Sequence, residues 1–154
     1  MASEKKSKLK LSTSRLLSRI RAAKSSHDVV DLVERAGEPD FSTLLYNLME
    51  VHDLKARDMI ERTQIERSYF YHILSGKKSN PSRNMVLRIG IAAEGTVEEI
   101  NRLLRLAGVA MLYPRIGRDA LLIYGIQQKM KMGEVNDLLL EHGHVPLFRE
   151  EKHE

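Results

Sequence analysis

Residues 54–82 read LKARDMIERTQIERSYFYHILSGKKSNPS, and the spacing of their apolar side chains predicts two short helices joined by a tight turn. Ala56, Met59, Ile60 and Thr63 recur at helical intervals and form the core-facing side of the first helix. Ile65 is the lone apolar residue of the turn, placed to fill the angle between the helices. Glu66 stands where a side chain accepts helix N-terminal amides, and Phe70, Ile73 and Leu74 form the inward side of the second helix. Gly76 ends that helix, Lys77 and Lys78 follow, and Asn80-Pro81 cannot continue it.

The other side of the second helix carries Arg67, Ser68, Tyr71 and His72. Arg forks onto a guanine edge, and Ser, Tyr and His donate or accept at base edges or phosphates. A bihelical unit with a polar outer face is how a helix is offered to a major groove. These four are the candidate base-reading residues. Lys55, Arg57, Lys77, Lys78 and Asn80 are the candidate phosphate contacts, which fix register without reading sequence. In the run Tyr69-Phe70-Tyr71, Phe70 belongs to the core and the tyrosines lie about a hundred degrees to either side of it.

The stretch resembles the Xre-type, phage-repressor-like helix-turn-helix, whose pattern is L-[ST]-Q-x-x-L-A…G-[IV]-S-x-x-x-[IV]-x-x-[IL]-E-x-G-x-x-x-P. Leu54, Ile65, Ile73 and Gly76 match it, Met59, Phe70 and Ile60 put other apolar residues at its Leu, [IV] and Ala positions, and Pro81 follows Gly76 one residue later than the pattern's proline. Of the departures, two bear on DNA reading. The family's helix-start Gln, which touches phosphate and supports the recognition helix, is Ala56 here, and its turn Gly is Gln64. Gln64 must then hold a less comfortable backbone or a slightly different turn. The resemblance implies a sequence-specific double-stranded DNA-binding regulator with residues 66–74 in the major groove. The two departures leave an alternative, a helical protein-interaction module that keeps the fold and has lost DNA reading.

Working outward, Phe41, Leu44, Leu45, Leu48 and Met49 form a strong helical stripe before the pair, with Asp40 or Ser42 as its cap. A fourth helix is expected over about 83–93, with Met85, Val86, Ile89 and Ala92 inward, and a fifth after Thr96, whose T-x-x-E signal with Glu99 predicts a capping box. Ile100, Leu103, Leu104 and Ala107 are its stripe, and Gly108 ends it. By resemblance this is the five-helix phage-repressor plan.

The remainder is a partial copy. At a shift of 35 residues, Arg83, Leu87, Gly90 and Ile91 fall on Arg118, Leu122, Gly125 and Ile126. Glu99, Asn101, Leu104, Gly108 and Leu112 fall on Glu134, Asn136, Leu139, Gly143 and Leu147, and Tyr113 meets Phe148. This is an internal duplication of a helix pair, expected to pack beside the first as a small stacked array. The connector Tyr113-Pro114-Arg115 and the terminal Gly143-x-x-Pro146-Leu147 resemble a bacterial subgroup of Xre-type regulators with extra C-terminal helices.

Ahead of the core, residues 1–24 hold eight Lys or Arg against one Glu, while residues 116–154 hold five basic against seven acidic side chains. The net charge of +4 is therefore weighted to the front of the chain, which suits an anionic partner met by the N-terminal part. Residues 1–13 are expected to be a disordered basic tail; the stretch from about Ser14 to Lys24, Ser- and Arg-rich, reads as a packed helix after a solvated tail, as a basic arm or as a presequence. Two amphipathic helices and a linker occupy 14–40, with Leu16, Leu17 and Ile20 on the first and Val29, Val30, Leu32 and Val33 on the second. The helix-turn-helix domain takes 41–112, the duplicated pair 113–148, and a tail 149–154.

Zero Cys excludes disulfides, thiolate metal sites and cysteine nucleophiles, and fits a reducing compartment; cytoplasm is the expected location. No apolar run of eighteen or more residues exists, so no membrane partner is expected. SGKKS lacks the upstream Gly and strand of a phosphate loop, and Glu141, His142 and His144 lack a further nearby ligand for a metal site. No catalytic grouping is visible. The expectation is an all-α, non-enzymatic DNA-binding protein without cofactor, metal or small-molecule ligand. It would act as a homodimer through the C-terminal helix pair or helices 14–36.

Overall fold

The computed structural model describes residues 11, 13–37, 39–77 and 80–149. The fold is all-α: every element among the described residues is a helix. They are α1 (Thr13–Ala22), α2 (Ser26–Ala36), α3 (Phe41–Val51), α4 (Ala56–Thr63), α5 (Arg67–Leu74), α6 (Arg83–Ala92), α7 (Val97–Leu106), α8 (Gly117–Gln127) and α9 (Met132–Glu141). Among the described residues no helix is long and apolar enough to cross a membrane. Lys78 and the chain ends 1–10 and 150–154 lie outside the described residues; Thr13, assigned to the tail on sequence, already belongs to α1.

Local chemistry sets the helix starts. Asp40, not Ser42, caps α3, accepting from the Thr43 amide at 2.9 Å. Ser42 instead donates its hydroxyl to the carbonyl of Leu74, fastening α3 to the end of α5. Ser82 caps α6 through the Met85 amide, and Thr96 with Glu99 closes the expected box on α7.

The core begins where α3 packs on α5 and α7, its Phe41, Leu44, Leu45 and Leu48 sharing one buried cluster with Met59 of α4, Ile65 of the turn, and Phe70 and Ile73 of α5. Two arginines then lock α4 to α6. Arg62 of α4 donates to the carbonyl of Ala92 at the end of α6 (3.0 Å). Arg88 of α6 donates to the carbonyl of Thr63 at the end of α4, with Nε at 3.0 Å and Nη2 at 2.6 Å. Each guanidinium satisfies carbonyls that a helix leaves unpaired at its C-terminus, where positive charge is also favoured.

The duplication is structural in detail. The Nε of Arg83 donates to the carbonyl of Ala110 and that of Arg118 to the carbonyl of Val145, each at 2.9 Å. Asn101 Oδ1 accepts from the Leu112 amide at 2.8 Å, and Asn136 Oδ1 from the Leu147 amide at 2.7 Å. Glu94 and Lys129 share a left-handed backbone, with φ of 59° and 55°.

The way the two units meet differs from the expected stack. Stacking repeats one contact set by translation. Here α6 packs on α9 and α7 on α8, so the four helices form a square whose diagonals join equivalent helices. Arg83 forks onto Asp119 at 3.0 and 2.9 Å, while Arg118 donates to Asn84 at 2.9 Å. Asn84 and Asp119 occupy the same repeat position, so each unit lends an Arg to the other's position-matched acceptor. That reciprocity is the signature of a two-fold relation.

Candidate nucleic-acid interface

The second helix of the turn motif, α5, is eight residues long and sealed on one side only. Phe70 is 0% exposed, and Ile73 and Leu74 are buried with it. Arg67, Ser68, Tyr71 and His72, the residues expected to read bases, are all exposed on the other. Tyr69 is half-buried against the core, so of the two tyrosines it is Tyr71 that reaches solvent.

Arg67 and Tyr71 touch: the guanidinium carbon lies 5.4 Å from the ring centroid, one helical turn along the same side. This stacking holds the Arg67 fork along the helix surface. Ser68 donates its hydroxyl to the carboxylate of Glu66, which also accepts from the amides of Ser68 (3.3 Å) and Tyr69 (3.2 Å). The Ser68 hydroxyl first, then the Tyr69 and Ser68 amides, hold the exposed Glu66 carboxyl below its ordinary range. Ser68 is thereby committed as a donor to Glu66, so its hydroxyl can only accept, and the carboxylate adds further acceptor capacity beside the Arg67 donors. Sequence reading placed Glu66 as a cap and gave it no contact with a partner; its place immediately before RSYF was the available signal.

The phosphate candidates are dispersed around this helix. Lys55 is the residue before α4, exposed, with its amide donating to Asp58 Oδ2 at 2.8 Å. Arg57 is exposed in the first turn of α4. Lys77 is exposed just after α5, and Asn80 is exposed beside the buried Pro81 before α6. Lys78 falls outside the described residues. Two cations at the start of α4 oppose its macrodipole, and Asp58 offsets them only in part. Helix stability therefore does not account for Lys55 and Arg57.

The turn between α4 and α5 is the one the departures implied. Gln64 takes the left-handed conformation (φ 58°), and its side-chain amide donates to the carbonyl of Glu61 at 2.8 Å. Beside it, an open cleft of about 1040 Å³ separates Gln64, Ile65 and Glu66 from Phe148 and Arg149 near the C-terminus. Phe148 lies under Arg88, with the guanidinium 5.2 Å from its ring, leaving Arg67 and Ser68 uncovered.

Among the described residues no group of three or more His, Asp or Glu is arranged to hold a metal. His144 instead lies against the start of α8 at Gly117. Comparison with protein-family models, curated proteins and solved structures finds no match to this chain.

Proposed function

We propose that the chain is a double-stranded DNA-binding transcriptional regulator of the Xre type, with α3 to α7 in the five-helix phage-repressor arrangement and α5 as its recognition helix. The observation that carries the reading is the two-sidedness of α5, whose apolar side is sealed while Arg67, Ser68, Tyr71 and His72 stand open. Such a helix docks with its polar side and N-terminal end toward base edges. Arg67 then forks to guanine, and Glu66 accepts from a cytosine amine. Lys55 and Arg57 add to the positive end of α4, where a phosphate is favoured, and Lys77 grips the backbone after α5. The working form is a homodimer in bacterial cytoplasm, reading half-sites one helical turn apart.

One observation favours the protein-interaction module instead. Glu66 places a carboxylate at the leading end of α5, where it repels phosphate. Titration of labelled random duplex at two salt concentrations separates the readings: the regulator binds and weakens with salt, the module does not bind. Selection from a random duplex library then tests the roles. Arg67→Ala relaxes preference at one base position by about 1–3 kcal/mol, whereas Lys77→Ala weakens all sequences alike. Equal behaviour of the two variants would remove the proposed division of labour.

A further inference from the structure

The N-terminal hairpin is a pair of helices without a core. α1 and α2 pack on one another, yet no residue of either is buried. Leu16, Ile20, Val29 and Leu32 are partly covered by the packing of the two helices, while Leu17, Val30 and Val33 remain 47%, 55% and 49% exposed. The hairpin is nevertheless specified locally: Ser25 caps α2 through the Asp28 amide, and the Gly37 amide closes its far end on the carbonyl of Val33. Helices of ten and eleven residues are marginal alone and draw their stability from packing an apolar side.

Charge identifies what packs there. α1 carries Arg15, Arg19 and Arg21 and no acid. α2 carries Asp28, Asp31 and Glu34, with one cation, Arg35, bridged to Asp31 at 4.0 Å. Of the two-fold pairings open to identical hairpins, the one that sets each α1 beside the partner's α2 brings basic against acidic twice, whereas α1 on α1 opposes like charges. Two such hairpins make a four-helix bundle, the form α6 to α9 already reach within one chain through their reciprocal contacts. A basic amphipathic helix on an anionic surface has no use for the acidic partner helix.

We infer that residues 13–36 form a self-association module that joins two copies of this chain through a bundle of their N-terminal hairpins, leaving α8 and α9 out of the dimer contact. This extends the proposed two-fold DNA-binding form and rests on it for the purpose of the dimer, not for the contact. The test is sedimentation equilibrium of the full chain without DNA. A dimer is expected, weakened on the order of tenfold or more by Val30→Glu, which buries a charge at the interface. Because Val30 is exposed in the single chain, thermal melting of the core stays in place. Arg19→Glu and Glu34→Arg each weaken the dimer, and the double variant regains part of the loss.

A chain that stays monomeric at high concentration overturns the inference, as does a dimer indifferent to Val30→Glu but lost on Tyr124→Glu in α8. Binding of the full chain to anionic vesicles, abolished by Val30→Glu, in place of self-association overturns it too. A dimer that fails to bind duplex removes the DNA reading and leaves this one. A monomer that binds half-sites does the reverse.

Discussion

Gln64 holds a left-handed backbone that a side chain with a Cβ resists, and it does so at the hinge that sets α5 against α4. Its amide contact to Glu61 recovers part of that strain. Gln64→Gly is therefore expected to raise stability by about 0.5–1 kcal/mol, seen as a higher denaturation midpoint with an unchanged slope. Asp119 presents the opposite case. Its side chain is 2% exposed, and burial alone would raise its pKa; the Arg83 fork, the Tyr113 amide and the charges of Arg83 and Arg118 outweigh that and hold it below the ordinary value. A depressed carboxyl stabilises the fold fully above its unfolded pKa, about 3.9, and loses that contribution as pH falls through the folded value. Asp119→Asn is expected to cost about 3 kcal/mol at neutral pH, with the gap to the parent protein closing in acid urea titrations below about pH 4. The strain at Gln64 was legible, because a known pattern places Gly there. The role of Asp119 was not: in the repeat alignment it is a mismatch with Asn84, and only the reciprocal pairing of the units shows why both positions accept an Arg.

At the scale of elements, periodicity and capping residues were enough to locate the helices, since Asp40, Ser82 and Thr96 act within three residues of themselves. The arrangement of the units was not legible, because it depends on partners about 35 residues away that no local pattern encodes. The duplication also separates packing from partnership. Val86 and Ile89 are buried on α6, which packs on α4 as well as α7, whereas their counterparts on α8, Leu121 and Tyr124, are half-buried and exposed. What both units keep is the close approach of their paired helices at Gly90 and Gly125. A Cβ on Gly90 would lie 2.6 Å from Ile100 Cγ1, and one on Gly125 would lie 3.1 Å from Val135 Cγ2. Ala favours a helix over Gly by about 1 kcal/mol, but an overpacked core loses roughly 1–3 kcal/mol. Gly90→Ala should thus destabilise on balance in thermal melts. Adding Ile100→Val, which copies the second unit, should recover some of the loss; a neutral Gly90→Ala would mean that α6 and α7 can part without cost.

For the whole molecule the question is how its cations divide between folding and binding. Arg62, Arg83, Arg88 and Arg118 are spent on carbonyls and carboxylates inside the fold and are poor candidates for phosphate. Lys55, Arg57 and Lys77 remain around α5, Lys78 follows Lys77 in the sequence, and Lys5, Lys6, Lys8 and Lys10 precede α1 in the sequence. Each phosphate neutralised by a cation contributes about −0.9 to the slope of log K against log salt. If only Lys55, Arg57, Lys77 and Lys78 engage, the slope per chain is about −3.6; if the four N-terminal lysines engage as well, it approaches about −7. Deleting residues 1–10 then distinguishes the two. An unchanged slope places the interface on α4 and α5 alone, and a fall by about half assigns the front-weighted charge of the sequence to the duplex. In either case Lys77→Ala should reduce the slope by about one per chain, and a slope near zero in the parent protein would end the DNA reading altogether.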